Sequence, residues 1–435
     1  MRKVSLVLFF TLAIVTFLLL GNAYRSGLIQ AQAQGPGQRA AASIAAVPGG
    51  TGGQDMFGAY EVVKGWPKDI STIPGNEKWT YGAGQAVYAE SPNRVFMLYR
   101  GELPNIKRPQ TKMLPEFGPS IQFPIGRLPW RDATVASLPG GGGAGAIPGK
   151  PTDGWNGTLD VDAKWENCIV VADANGNIIE RWTQWDKILQ RPHIVAINPY
   201  DPDKYVWILD DHMHAIYKFT HDGEKLVQTI GTPKQPGADG THFNRPTFLA
   251  WLPDSTMFVS DGYNGTRVAK FDKNGKFLLD WGMKGNQPNE KRPGYMNNVH
   301  GIAVDPQTRR VFVNDRANHR IQVFDENGKY LYEWTAGPEP SDIHLIYIGA
   351  DRTLWAFDRG TSRMIKYDLD GHFLYSWGVW GDFSGGFWGV HGFSVDQEGN
   401  FYVAEVDSGR VQKFRPRQGA NPAFLVGKPV YSAWK

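Results

Sequence analysis

The 435-residue chain carries 46 basic and 43 acidic residues, so its near-balanced charge excludes a broad electrostatic footprint for nucleic acid. A single cysteine excludes an internal disulfide framework, and 51 glycines with 29 prolines and 16 tryptophans point to many short strands joined by turns.

In chain order, Met1-Arg2-Lys3 precedes an apolar run from Val4 to Leu20 without charge. This predicts a signal peptide over 1–23 and export to a periplasmic or extracellular location, with cleavage after Ala23 or Ala33; left uncleaved, the run is long enough to act as a membrane anchor. Residues 24–56 are rich in Ala, Gly, Gln and Pro and read as a flexible linker. Tyr60 to Trp66 (YEVVKGW) is strand-like, and is expected to pair with the end of the last repeat after Phe414, hiding a sheet edge.

From Gln85 onward the text repeats. Asn298 to Trp334 shows the full unit: a short apolar strand, a second closing on Asp315, a third reading RIQVF, an Asn-Gly turn and a fourth reading KYLYEW. First strands begin at His193 (HIVAI), Thr247 (TFLAW), His300 (HGIAV), His344 (HLIYI) and His391 (HGFSV), and the outer turns carry Asp222-Gly223, Asn274-Gly275, Asn327-Gly328 and Asp370-Gly371. A sixth copy is split between Gln85–Arg100 and Glu166–Trp182 by an insertion at about 101–165, whose Phe117, Phe123, Arg127, Trp130 and Arg131 are expected to pack over one face. Cys168, among β-branched residues of that copy, is expected to be a buried thiol. Four strands per copy and six copies predict one all-β, six-bladed β-propeller over 57–435.

The first strand of each blade lines the central channel, so the histidines at one column of the repeat point at the axis. Of these, His193, His300 and His391 belong to blades 2, 4 and 6 and alternate around the ring, an arrangement that permits three nitrogen ligands on one ion with a further position open. Channel histidines bonded only to water or backbone fit the same pattern. His344, in blade 5, is an additional imidazole at the same level.

Beyond the general NHRIQVF text, two stretches are more particular: QPGADGTHFNRPT (Gln235 to Thr247) and VSDGYNGTRVAKFDKNGKFLLDWG (Val259 to Gly282). From about Gly84 to Phe414, the insertion excepted, the sequence resembles the peptidyl-α-hydroxyglycine α-amidating lyases. These are six-bladed propellers of NHL-repeat type that split a carbinolamide into an amide and glyoxylate. The resemblance implies zinc on His193, His300 and His391; His344 departs from the family pattern, and its additional imidazole is a candidate for either a further ligand or a proton carrier. It also implies a catalytic tyrosine at Tyr263 and active-site arginines at Arg100 and Arg316. A phenol, with its reference pKa of about 10, acts as a base at neutral pH only where nearby cations favour the phenolate, and arginine offers a planar fork for a carboxylate. Tyr263 capping a groove between blades, and Arg100 or Arg316 pairing with a neighbouring aspartate, are the structural alternatives.

Calcium is left open, because Gly392 stands where the family has an aspartate, and Gly389, replacing a methionine, is expected to widen the pocket. The implied partner is a small-molecule or peptide substrate, and a monomer is expected. The competing function is a non-catalytic NHL-repeat propeller that presents its loops to a protein or glycan.

Overall fold

The computed structural model describes residues 58–106, 159–161, 163–337 and 340–432, with three further strand backbones at Gly53–Asp55, Lys112–Met113 and Gln122–Phe123. These lie in one compact unit spanning 45–435. The signal segment, most of the linker and the side chains of Phe117, Phe123, Arg127, Trp130 and Arg131 lie outside the described residues.

Six four-stranded antiparallel sheets form a six-bladed β-propeller, blades 1 to 5 running from an inner to an outer strand in chain order and Gly53–Asp55 adding a parallel fifth strand to blade 5. The inner strands of blades 1 to 6 are Trp79–Ser91, Pro192–Ile197, Pro246–Trp251, Val299–Val304, Ile343–Ile348 and Val390–Val395. Blade 1 is the split copy: Trp79–Ser91 and Arg94–Pro104 precede the insertion, while Ile169–Ala172 and Ile178–Arg181 follow it. Burial explains the patterning. A second strand such as Val311–Asp315 is buried throughout because neighbouring blades cover both its faces, whereas the outer strand Phe277–Trp281 alternates half-buried with exposed. Cys168 is a free, buried thiol in this packing.

Blades interlock through tryptophan and glycine. Gly328 and Gly371 turn the outer hairpins of blades 4 and 5 at φ +85 and +91, which glycine adopts without strain. A Cβ would fall 2.8 Å from the Trp281 indole at Gly328, and 2.5 Å from that of Trp334 at Gly371, so each hairpin is also the bed for the preceding blade's tryptophan.

The ring closes through the N-terminal strand. Tyr60–Val63 forms the outer strand of blade 6, antiparallel to Val411–Pro416, with Tyr60 opposite Pro416 and Val63 opposite Lys413. Trp66 then lies against Gly176 of blade 1, and its Nε1 donates to the Asp173 carbonyl at 2.9 Å. Deleting residues through Pro67 would strip the buried Tyr60 and Trp66 from this seam. Each fully buried large side chain contributes roughly 1.5–3 kcal/mol, so the melting temperature should fall by about 5 °C or more; an unchanged value in a thermal melt would deny the segment a structural part.

The far end of the channel is sealed by a segment with no repeat signature. Tyr347 Oη donates to the Gly427 carbonyl at 3.1 Å, Tyr431 Oη to that of Ala89 at 3.1 Å, and the Ala350 amide to that of Lys428 at 2.7 Å. Above this seal lies a mostly apolar cavity of about 210 Å³, lined by inner-strand residues such as Ala250, Ile302 and Phe393.

Candidate metal centre

The site forms where the inner strands begin. Its column residues are Gln85, His193, Thr247, His300, His344 and His391, every one of them buried. Close approach of the strands makes the column narrow. A Cβ at Gly301 would lie 2.9 Å from the Ile346 amide nitrogen, and one at Gly392 2.9 Å from the Ala86 Cα. The position where the resemblance would put calcium's aspartate is therefore filled by the packing of blade 1 on blade 6.

One nitrogen from each of His193, His300 and His391 lies within 4.8 Å of the others. The fold aims them by one repeated device. Each Nδ1 faces the main-chain carbonyl of the column residue one blade on: His193 that of Thr247 at 2.8 Å, His391 that of Gln85 at 3.0 Å, and His300 that of His344. A carbonyl can only accept, so Nδ1 carries the hydrogen and the Nε2 lone pair is left free, as in histidines oriented for a metal. Burial, reinforced by neighbouring imidazoles and guanidiniums, holds all three well below the ordinary imidazole range, and the rings are neutral.

Three inward lone pairs meet only two donors. Tyr263 Oη is 3.1 Å from His193 Nε2 and 3.0 Å from His300 Nε2, but it has one hydrogen to give. The Gln85 side-chain amide lies across the His391 ring, 2.9 Å from Nε2 and 2.6 Å from Nδ1. One buried lone pair thus faces oxygen instead of a donor, an arrangement that a cation on the axis would relieve. Three neutral imidazoles are a fitting donor set for zinc. Phe248 forms the floor, edge-on to His193 and His300 at ring-centroid separations of 5.4 and 5.1 Å.

Guanidinium groups surround the tyrosine. Arg245 and Arg191 lie 4.6 and 5.6 Å from the Tyr263 ring centre, both tied to the buried Asp211 at 2.8 and 3.5 Å. Against the upward push of burial, Arg191 and Arg245 hold the Asp211 carboxyl below the usual carboxylate range. Arg100 differs. It is buried, its Nε donates to the Pro192 carbonyl at 3.4 Å, and among the described residues no carboxylate pairs with it. Burial, with Arg191 adding to it, lowers its guanidinium to about 9. The structural alternative does hold for Arg316, whose Nε and a terminal nitrogen both bond Asp342 at 2.8 Å. The space expected beside Gly389 is not an enlarged pocket: a Cβ there would lie 2.2 Å from the Asp407 carboxylate, which is engaged with Arg359.

Sequence reasoning missed Arg191, Arg245, Arg359 and Phe248. A signal existed for three of them. RPH at Arg191 and RPT at Arg245 repeat one position, and DRG places Arg359 where DRA places Arg316.

The NHL repeat family model matches residues 296–324 and 387–414. Peptidylglycine alpha-amidating monooxygenase of Rattus norvegicus is 34% identical over 168 residues, which are 38% of this chain and 16% of the rat protein. Peptidyl-alpha-hydroxyglycine alpha-amidating lyase 1 of Drosophila melanogaster is 26% identical over 276 residues, 59% of this chain and 50% of the fly protein. NHL repeat-containing protein 3 of Mus musculus is 29% identical over 193 residues, 42% of this chain and 53% of the mouse protein. The chain thus covers a sixth to a half of these relatives' lengths, and the resemblance read from its motifs is borne out by them.

Proposed function

We propose that this relative of the peptidyl-α-hydroxyglycine α-amidating lyases is an exported, zinc-dependent lyase. It would cleave the carbon–nitrogen bond of a peptidyl α-hydroxyglycine, releasing the peptide amide and glyoxylate. The observation that supports this most directly is the convergence of three buried imidazoles, two of them on the Tyr263 hydroxyl, beside a buried arginine without a carboxylate partner among the described residues. Export rests on the basic start and apolar run of residues 1–23.

Zinc held by His193, His300 and His391 would supply a Lewis acid for the substrate's hydroxyl and carbonyl oxygens. Arg100 takes the terminal carboxylate, because among the described residues no carboxylate pairs with its buried guanidinium and its planar fork matches two oxygens. The Tyr263 oxygen, between His193 and His300, receives the hydroxyl proton, with the guanidiniums of Arg191 and Arg245 over its ring. As the carbon–oxygen double bond forms, the electron pair of the C–N bond stays with nitrogen. The nitrogen recovers a proton from the Tyr263 hydroxyl and departs as a neutral amide, so protons balance over the cycle. Arg316, held rigid by Asp342, adds positive charge at the same mouth.

The decisive experiment measures metal content and glyoxylate release from an N-acyl-α-hydroxyglycine on the purified chain. Stoichiometric zinc with turnover supports the proposal; zinc without turnover moves the site to another substrate, and absence of both leaves a binding propeller. Arg100→Lys should keep zinc but lower kcat/KM by roughly tenfold or more, chiefly through KM, because charge is retained while the bidentate fork is lost.

A further inference from the structure

Blade 5 places a fourth imidazole at the centre that the chemistry above does not use. His344 is 1% exposed, and among the described residues neither ring nitrogen has a hydrogen-bond partner. Its three counterparts are each anchored through Nδ1 to the carbonyl of the next blade. His344 lacks that anchor, so no hydrogen bond sets its tautomer or stops its ring from turning. The ring centre lies 4.4 Å from that of His300 and 4.7 Å from that of His391, nearer to each than those two are to one another at 5.3 Å.

The charged groups facing His344 are cationic: Arg316 and Arg359, bound to Asp342 and Asp407 respectively. Their carboxylates are committed, and among the described residues no acidic group pairs with His344. A buried imidazole with both nitrogens unsatisfied is costly, and its lone pair calls for an electropositive partner. The same need exists on the axis for the one Nε2 lone pair, on His193 or His300, that Tyr263 leaves without a donor. Tyr263 occupies the gap between His193 and His300, whereas His344 stands between His300 and His391. Engaging His344 therefore leaves the tyrosine in place.

We propose that His344 is a fourth imidazole ligand of the ion held by His193, His300 and His391. The proposal rests on the metal centre proposed above. His344 falls outside the cluster of three nitrogens, so its ring turns toward the axis on metal binding, a movement that its missing Nδ1 anchor allows. The consequence is a four-imidazole centre that would retain its metal more tightly than three histidines would.

The test uses the purified chain, zinc, cobalt(II) as a spectroscopic probe, and the variants His344→Gln and His344→Gly. Neither variant alters the main-chain carbonyl that receives His300 Nδ1. Zinc dissociation constants come from competition with a chelating dye, ligand number from the visible cobalt spectrum, and folding from thermal melts. Expected are a zinc Kd raised roughly 10–100-fold or more in His344→Gln, an altered cobalt spectrum in both variants, and recovery of the wild-type spectrum when free imidazole is added to His344→Gly. A purely packing role would shift the melt without imidazole rescue of the spectrum, which overturns the proposal. If the wild type binds metal and both variants match it in Kd and spectrum, His344 is no ligand while the three-histidine centre stands. If the wild type binds neither metal, the centre itself falls, and this proposal with it.

Discussion

Replacing His300 with alanine is expected to remove the metal and bring glyoxylate release to background. His300 makes two contacts at the centre, one to the His344 carbonyl and one to the Tyr263 hydroxyl. Alanine would delete one of the proposed ligands and leave a buried carbonyl without its donor. Metal-assisted charge stabilisation supplies several kcal/mol, and each 1.36 kcal/mol is a factor of ten, so turnover should fall by roughly 10³-fold or more. Metal analysis after dialysis provides the check, because zinc near zero must accompany the lost activity. A variant that kept full zinc would show that His300 is not a ligand, whatever its activity.

Replacing Tyr263 with phenylalanine should give the opposite signature. The ring remains beneath Arg245, and only the hydroxyl between His193 and His300 is lost. Zinc content should therefore hold at the wild-type level while kcat falls by roughly 10²-fold or more, the usual worth of a positioned acid–base group. Steady-state kinetics with paired metal analysis separates the cases: His300→Ala loses both properties, and Tyr263→Phe loses one. Wild-type kcat in Tyr263→Phe would assign the proton transfer to another group and reduce the tyrosine to a cap between blades.

The periodic part of this protein was legible because each blade repeats one local instruction. Turn glycines and a strand-closing aspartate recur in blades 2 to 5 and the apolar first strand in every copy, so counting copies determines that blades 2, 4 and 6 bring His193, His300 and His391 to one axis. The strand at Tyr60 was likewise legible, since its aromatic ending matches the fourth-strand pattern and the last copy lacks a fourth strand of its own. The electrostatic partners were less so. Arg316 and Asp342 sit in different blades, as do Arg359 and Asp407, and no local rule links them. The pocket expected at Gly389 failed for the same reason, because the carboxylate that fills it belongs to a separate turn.

The sequence by itself therefore determined the number of blades and the column of residues facing the axis, because both follow from backbone periodicity within a single repeat. Only the tertiary structure decided which nitrogen of each histidine is free, which arginine is left without a carboxylate, and that His344 alone among the channel histidines has no anchor. Those properties depend on contacts between blades, such as the bond from His391 to Gln85 across 306 positions of the chain, and side chains so far apart in sequence meet only after the ring has closed.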